Sequence, residues 1–222
     1  MNINKIYLKF LQKVNKNFTN DNISVDKGRF IFIFNEATNK FIEWCLEKRN
    51  EDDIREIQKL LVNDFKINLK YTNINSESFS LPENYFSFSS IQVFANKDGC
   101  KNQKLDTFEI KSENKEEVLN DEFNKPDFKY RETCYIISND TVTIFTDKFN
   151  ISKAFLTYYK YPVQVDIEGY IKLDGSLSTN IDSEFDEKVV DRIISIAAKD
   201  FNINDDNMNR FTVDKDRINS RT

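Results

Sequence analysis

The residues best suited to chemistry in this sequence are carboxylates, because the chain contains no histidine. A Ser-His-Asp triad, a Cys-His pair, a histidine-ligated zinc ion and a histidine general base are therefore all excluded. The 37 aspartates and glutamates leave open a carboxylate pair of the kind that glycosidases use. No such pair stands out among the acidic residues spread along the chain, so we predict no catalytic residues and no enzyme.

Asp166, Glu168 and Asp174 lie close together near two glycines, Gly169 and Gly175. Their spacing does not follow the ligand order of an EF-hand loop, and the glycines are better interpreted as turn residues. The four glycines of the chain are not clustered, which argues against a phosphate-binding loop. We interpret the three cysteines as small buried thiols: Cys45, Cys100 and Cys134. The sequence therefore predicts no metal site and no cofactor.

Four tyrosines could stack on nucleic-acid bases: Tyr158, Tyr159, Tyr161 and Tyr170. Arginines are not interleaved with them, so packing in a core or an interface is the favoured interpretation. The aromatic stretch from Phe155 to Pro162 is interpreted as the closing edge strand of a sheet, which Pro162 ends.

The length of 222 residues fits one large domain or a domain with a sub-domain, and the 20 Phe and 9 Tyr can fill a substantial core. The longest apolar run, Phe30–Phe34, is too short to span a membrane. The first residues lack a signal-peptide core. We therefore expect a protein that is made and assembled in the cytoplasm, with no membrane partner.

The N-terminal part has helical periodicity. Apolar residues at three-and-four spacing predict a helix over residues 2–18. Phe30–Phe34 fits either a buried strand or the approach to a helix that Asn35 would cap. Asn50 is predicted to cap the next helix, whose first turn is acidic and whose apolar stripe reaches residue 61.

From residue 62 to 161 the period changes towards two. A half-buried strand is predicted over residues 65–71, further strands near 91–94 and 105–110, and a capped short helix at 114–117. The strongest local pattern is a hairpin in which Ser138-Asn139-Asp140-Thr141 joins two apolar strands. With the strand Ile151–Tyr161, this hairpin is predicted to form a three-stranded antiparallel meander.

A long amphipathic helix is predicted to start at Asp182 or Ser183, with Glu184, Asp186 and Glu187 in its first turn. The polar tail after residue 203 is expected to be either mobile or ordered by a partner. Residues 1–34 have six basic and two acidic side chains, whereas residues 182–206 have three basic and eight acidic ones. Such opposite charges could dock neighbouring copies, or could be ordinary surface scatter.

The predicted class is α+β, with a helical framework of N-terminal helices and a long C-terminal helix, and an inserted antiparallel β-sheet or small sandwich. We divide the chain into an N-terminal helical part at 1–61 and an antiparallel β-rich part at 62–165. Residues 166–203 are predicted to form a turn and the C-terminal helix, packed against the helical part, and residues 204–222 form the tail.

Five sequence motifs follow one another along the chain. They are Leu81-Pro82-Glu83-Asn84-Tyr85, Tyr158-Tyr159-Lys160-Tyr161-Pro162, Asp166-Ile167-Glu168-Gly169-Tyr170-Ile171, Asp174-Gly175-Ser176, and the helix through Val189 to Phe201. In this order the chain resembles the head-to-tail connector (ring or adaptor) proteins of tailed bacteriophages, most closely those of crAss-like phages. The resemblance covers most of residues 35–222.

This resemblance implies a structural, non-enzymatic virion protein that forms a closed, dodecameric ring below the portal, in the neck or tail connector. It also implies that the ring extends the DNA channel, and that the portal protein and adjacent ring or tail proteins are partners. Genomic DNA would pass through without sequence-specific binding, and assembly would take place in the host cytoplasm. Two alternatives stay open: another tail-associated binding module (a completion protein or fibre adaptor), and a carboxylate-dependent glycan hydrolase.

A ring contact joins two different surfaces of the subunit. We predict candidate assembly-interface residues in the turn, the acidic helix start and the tail: Tyr170, Glu184, Asp186, Glu187, Met208, Arg210, Phe211 and Arg217. As a further hypothesis, carboxylates of the helix start line the channel and keep DNA from adhering.

Overall fold

The structure is a computed structural model and describes residues 1–15, 24–48 and 50–202. It has two compact units: one contains Met1–Lys59 and the chain from Pro162 onward, and the other contains Leu60–Tyr161. The described residues are about 36% helical and 35% strand and form five helices and an eight-stranded mixed sheet, which confirms the α+β class. None of the described helices combines the length and apolar character needed to cross a bilayer.

The first unit is helical, and its helices are α1 (Ile3–Asn15), α2 (Lys27–Lys48), α3 (Glu51–Glu56) and α5 (residues 187–202, where the described chain ends). The predicted stripe of α1 is confirmed, because Ile3, Ile6, Phe10 and Val14 are all buried. Residues 16–18 of that predicted helix lie outside the described part of the chain.

Helix α2 begins eight residues earlier than the predicted cap at Asn35. A carboxylate oxygen of Asp26 accepts a hydrogen bond from the Arg29 amide at 3.1 Å, so Asp26 caps this helix. The Phe30–Phe34 run is therefore helical. Asn35 instead binds the backbone of Val165 twice, donating to its carbonyl at 3.1 Å and accepting from its amide at 3.0 Å.

Asn50 is confirmed as the cap of α3, because its side chain accepts a hydrogen bond from the Asp52 amide at 3.3 Å. The helix is shorter than predicted, since a 3-10 turn at Gln58–Leu60 follows it and leads into the sheet. Ile57 and Leu60 are buried as the stripe predicted.

Helix α5 starts at residue 187, after the predicted Asp182 or Ser183. Asp182 caps α1 instead, where its carboxylate accepts a hydrogen bond from the Ile3 amide at 2.9 Å. The predicted apolar face is confirmed by buried side chains, among them Val189, Ile193 and Phe201. Phe201 meets Phe10 edge-on at 6.0 Å between ring centroids, which places the end of α5 on α1.

The second unit is one curled sheet. Its strands are β1 (Leu61–Lys66), β2 (Asn68–Asn73), β3 (Ser76–Ser80), β4 (Tyr85–Lys97), β5 (Cys100–Glu109), β6 (Glu132–Ser138), β7 (Thr141–Phe145) and β8 (Asn150–Lys160). Their order is β1-β8-β4-β5-β6-β7-β3-β2, and all neighbours are antiparallel except β5 and β6. Helix α4 (Lys115–Asn120) lies between β5 and β6, and Asn114 forms no side-chain cap bond there, so the predicted capping is wrong.

The predicted half-buried strand over residues 65–71 is wrong, because the chain changes pairing partner within it. β1 pairs with β8, β2 pairs with β3, and only Ile67 separates the two edge strands. Ile67 is buried, whereas Phe65, Leu69 and Tyr71 are partly exposed. The curled sheet thus brings its two edges together at one residue, over a core that includes Val93, Leu105, Ile144 and Leu156.

The predicted hairpin is confirmed, with Ser138 paired to Thr141 and Asn139 at φ 50°. The predicted meander is wrong, because β7 pairs on its other side with β3, while β8 pairs with β4 and β1. The aromatic strand is therefore an interior strand and not a closing edge. Tyr158 and Tyr159 are buried in it, consistent with packing rather than base stacking.

Candidate assembly surface

Residues 170–178 form a tight hairpin in the helical unit. The Lys172 amide donates to the Ser176 carbonyl at 2.9 Å, and the Ser178 amide donates to the Tyr170 carbonyl at 3.1 Å. Gly175 has φ 82°, a left-handed conformation that glycine adopts without strain. A carboxylate oxygen of Asp174 accepts from both the amide and the hydroxyl of Ser176, at 2.9 and 2.7 Å, which fixes the tip.

Asp166 holds the base of this hairpin. Its side chain is only 5% exposed. One carboxylate oxygen accepts from the Tyr170 hydroxyl at 2.8 Å, and the other accepts from the Thr179 amide at 3.0 Å and pairs with the Lys172 ammonium at 2.8 Å. One buried carboxylate therefore links both strands of the hairpin, so the hairpin is a fixed part of the unit.

The protonation behaviour of this cluster follows from those contacts. Burial favours a higher pKa for Asp166, but the bonds from Lys172, Thr179 and Tyr170 outweigh it, and the pKa of this carboxyl lies below its ordinary value. Burial first, and then the bond to the Asp166 carboxylate, raise the pKa of Tyr170 to about 12. At neutral pH the cluster therefore contains a charged aspartate and a neutral tyrosine. Its donors, on Tyr170, Thr179 and Lys172, all bind the Asp166 carboxylate.

The fixed hairpin presents large apolar side chains to solvent. Ile171 and Leu177 face each other across it and are 71% and 78% exposed, while Leu173 at the tip is fully exposed. Phe32 of α2 is 70% exposed. We call Phe32, Ile171, Leu173 and Leu177 the hairpin surface. Single exposed apolar side chains are common, but a group on a rigid element is typical of an interaction site.

A groove of about 980 Å³ separates α2 from the hairpin. Gly28, Phe32, Asn35 and Asn39 line it on the α2 side, and residues 170–174 line it on the hairpin side. A Cβ atom at Gly28 would lie 3.3 Å from the Tyr170 ring, so glycine permits the close approach at this end. Tyr170, a predicted interface candidate, thus lies in the groove, although its hydroxyl is bonded to Asp166.

The hairpin surface was missed in the sequence because Phe32 was assigned to a buried apolar run and the alternation of Ile171 and Leu173 is too short to predict an element. The pattern that could have found them is the group Ile171, Leu173 and Leu177 around the turn Asp174-Gly175-Ser176. A turn of this type is usually flanked by polar residues on a solvent-exposed surface. Aliphatic residues at such positions indicate contact with another surface.

The three acidic interface candidates have partners within their own unit. Glu184 accepts a hydrogen bond from the Val163 amide at 2.8 Å, and Asp186 pairs with Lys59 at 2.5 Å. Glu187 pairs with Lys5 at 2.9 Å and with Lys9 at 2.8 Å. The lysines partly neutralise Asp186 and Glu187, which weakens the repulsion of DNA expected from a channel lining of these carboxylates.

The opposite charges of the two chain ends likewise meet within one subunit. Lys9 pairs with Asp191 at 2.7 Å in addition to Glu187. The hydrogen bonds and charges of Lys9 and Lys5 lower the pKa of Glu187 to about 2. These pairs are exposed and therefore contribute little to stability individually. The charge asymmetry of the sequence thus has an explanation inside the chain.

The remaining predicted features are the interface candidates of the tail, the absence of a metal site and the three buried cysteines. Met208, Arg210, Phe211 and Arg217 lie outside the described residues. Across residues 1–15, 24–48 and 50–202, no group of three or more cysteine and carboxylate side chains is arranged to hold a metal ion. Cys45 and Cys134 are buried as expected, but Cys100 is exposed, so the buried interpretation is wrong for this thiol.

Glu77 in β3 is a buried carboxylate of the second unit. Burial raises its pKa, and its side chain accepts a hydrogen bond from the Ile151 amide at 2.8 Å. That bond joins β3 to the start of β8, which gives this carboxylate a structural role in the curled sheet.

The hairpin surface and its groove are thus the features of this chain best suited to function, and their chemistry is that of binding. Comparison of the whole sequence with models of known protein families and with curated proteins finds no match to either.

Proposed function

We propose that this chain is a structural subunit of the head-to-tail connector of a tailed bacteriophage, and that it assembles through the hairpin surface. The observation that carries the proposal is the exposure of four apolar side chains beside a groove: Phe32 on α2, and Ile171, Leu173 and Leu177 on the hairpin that Asp166 holds in place. In this role the protein is not an enzyme and needs no cofactor.

The hairpin surface supports assembly through the hydrophobic effect. Covering a large aliphatic or aromatic side chain contributes about 1.5–3 kcal/mol relative to leaving it in water. The hydrogen bonds that the Asp166 and Asp174 carboxylates accept already order the hairpin, so little conformational entropy is lost when a partner covers it. A rigid apolar projection beside a groove is therefore well suited to a contact between subunits.

The resemblance of the sequence to connector proteins supplies the identity of the assembly. In that role the subunits form a closed ring below the portal, extend the DNA channel and dock tail components. A ring contact needs two different surfaces on each subunit, and the hairpin surface is one of them. DNA passes through the ring without being read in sequence.

The test is the mass of the purified full-length chain, measured in solution at increasing concentration, alone and with the portal protein. We expect a closed ring, with a mass that is a fixed multiple of 26.3 kDa, or a complex with the portal. A chain that stays monomeric at all concentrations and does not bind the portal would contradict the proposal.

A further inference from the structure

We infer that the groove between α2 and the 170–178 hairpin binds the C-terminal segment, residues 203–222, of a second copy of this chain. This inference rests on the proposed function, because it names the partner of the hairpin surface in the ring. Three observations support it: the chemistry of the groove, the composition of the segment, and the place where the described chain ends.

The groove combines apolar side chains with negative charge. Its apolar lining includes Ile31, Phe32, Ile171 and Leu173. Three carboxylates and one ammonium group also line it: Asp26, Glu36, Asp174 and Lys172. The ammonium group of Lys172 is paired with the buried Asp166, and Glu36 is paired with Lys40 at 2.9 Å. The groove is therefore suited to a peptide that carries apolar and basic side chains.

The C-terminal segment has that composition. Its central apolar residues are Met208, Phe211 and Val213. The whole segment carries four basic and four acidic side chains, and the basic ones are concentrated after residue 206, where Arg210, Lys215, Arg217 and Arg221 face only Asp214 and Asp216. Apolar and basic side chains in one segment complement the apolar and acidic groups of the groove.

A buried polar atom in the groove also lacks a partner. The Oδ1 atom of Asn39 is buried and has no hydrogen-bond donor among the described residues. An unpaired buried acceptor costs about 1–3 kcal/mol. Because this atom is buried, a backbone amide of a bound peptide would satisfy it after the Asn39 side chain turns toward the groove that it lines.

The proposed ring favours a second copy as the source of the segment, because a ring contact joins two different surfaces of the subunit. Near the end of α5, Asp200 pairs with Lys40 at 3.0 Å, and the Arg29 guanidinium lies 4.5 Å from the centroid of the Phe201 ring. Arg29 and Lys40 are about three turns apart on one side of α2, which also carries the groove-lining Glu36 that pairs with Lys40. Phe32 and Asn39 lie roughly 60–100° around the helix from them. The described chain therefore ends near one rim of its own groove, and mixing isotope-labelled copies distinguishes that groove from the groove of a second copy.

The segment is long enough for this contact. Its 20 residues, counted from position 203 to position 222, span roughly 65 Å when extended.

The test places the photo-crosslinking residue p-benzoyl-phenylalanine at position 211 of the full-length chain. Copies carrying heavy and light nitrogen isotopes are mixed, irradiated and mapped by mass spectrometry. We expect cross-links from position 211 to peptides containing Phe32 or residues 171–173, joining heavy to light chains. Leu173→Ser should lower their yield about tenfold, whereas Phe123→Ser, at a residue that is 90% exposed in the other unit, should leave it unchanged.

The outcomes separate this inference from the proposed function. Cross-links that join two chains outside the groove, in a chain that still forms a ring, would overturn the inference and leave the proposed function intact. Cross-links confined to one chain would overturn the inference, because the segment would then occupy its own subunit. A monomeric mass together with the latter result would overturn both.

Discussion

The 170–178 hairpin and the start of α5 were both predicted to contribute to assembly. They differ in whether their side chains form bonds within the unit or remain exposed to solvent. The acidic residues before and at the start of α5 bind lysines and a backbone amide of the same unit, as Asp186 does with Lys59. The hairpin satisfies its polar groups internally but leaves Ile171, Leu173 and Leu177 in water. The charged side chains near α5 therefore form bonds within the subunit, whereas the apolar side chains of the hairpin stay exposed and can contact a partner.

This difference shows why charge is a poor guide to an interface in a single sequence. A carboxylate on the surface can pair with a lysine anywhere in the fold, at little gain in stability. An exposed aliphatic side chain on an ordered turn gains only when another surface covers it. The residues to change first are therefore the apolar ones.

The largest effect is expected from replacing Ile171 and Leu173 with serine together. Both side chains are mostly exposed, so the subunit should keep its fold and its midpoint of unfolding. Losing about 1.5 kcal/mol at each position should weaken assembly by about a hundredfold, measured by sedimentation equilibrium. The matched control replaces Ile74 and Phe123, which are equally exposed in the other unit. If both variants weakened assembly equally, the hairpin surface would not be the contact between subunits.

Asp166→Ala tests whether the hairpin is held from its base. The substitution leaves the Thr179 amide and the Tyr170 hydroxyl without their acceptor and separates Lys172 from its partner. We expect a loss of about 3 kcal/mol in the free energy of unfolding, measured in urea. Asp186→Asn, at an exposed ion pair, serves as control and should change stability far less. A stable Asp166→Ala variant would mean that the hairpin is ordered by other contacts.

Acid should loosen the hairpin through the same carboxylate. Because the pKa of Asp166 is lowered by folding, its contribution is complete above the ordinary value of 3.8 and is lost as the pH falls through the lower folded value. The amide resonance of Thr179, followed by NMR in the assembly-deficient serine variant, should shift with a midpoint below 3.8. Asp166→Asn should abolish this transition. A midpoint above 3.8 would contradict the assigned contacts.

The smallest effect is expected from Glu187→Gln. It removes the exposed pairs with Lys5 and Lys9, so the unfolding midpoint should fall by about 2 °C or less, and by nothing in high salt. Assembly, measured by the mass of the complex, should not change. If this variant assembled poorly with an unchanged midpoint of unfolding, the start of α5, and not the hairpin, would be the assembly interface.

The parts of the fold that follow from local sequence were predictable. The stripe of α1, the Asn50 cap and the Ser138–Thr141 turn each depend on residues a few positions apart. The errors involve distant partners. Asp182 is a good cap by type, but it caps α1, and the Ile3 amide that it binds is 179 positions away. The partners of β8 lie in β1 and β4, so no local pattern could specify them.

The candidate surface was only partly predictable for the same reason. Tyr170 and the Asp174-Gly175 turn were recognised, because turn chemistry is local. The role of Asp166 depends on Thr179 across the hairpin, and the groove depends on α2, more than a hundred residues earlier in the chain. Exposure of Leu173 is a property of the folded unit, and composition alone does not reveal it.

The most direct test of the hairpin surface is an electron cryomicroscopy structure of the assembled full-length chain. Phe32, Ile171 and Leu173 should be buried against a neighbouring copy, while Glu187 keeps its bonds to Lys5 and Lys9. An assembly in which residues 170–178 face solvent and the start of α5 forms the contact between copies would contradict the proposed role of the hairpin surface.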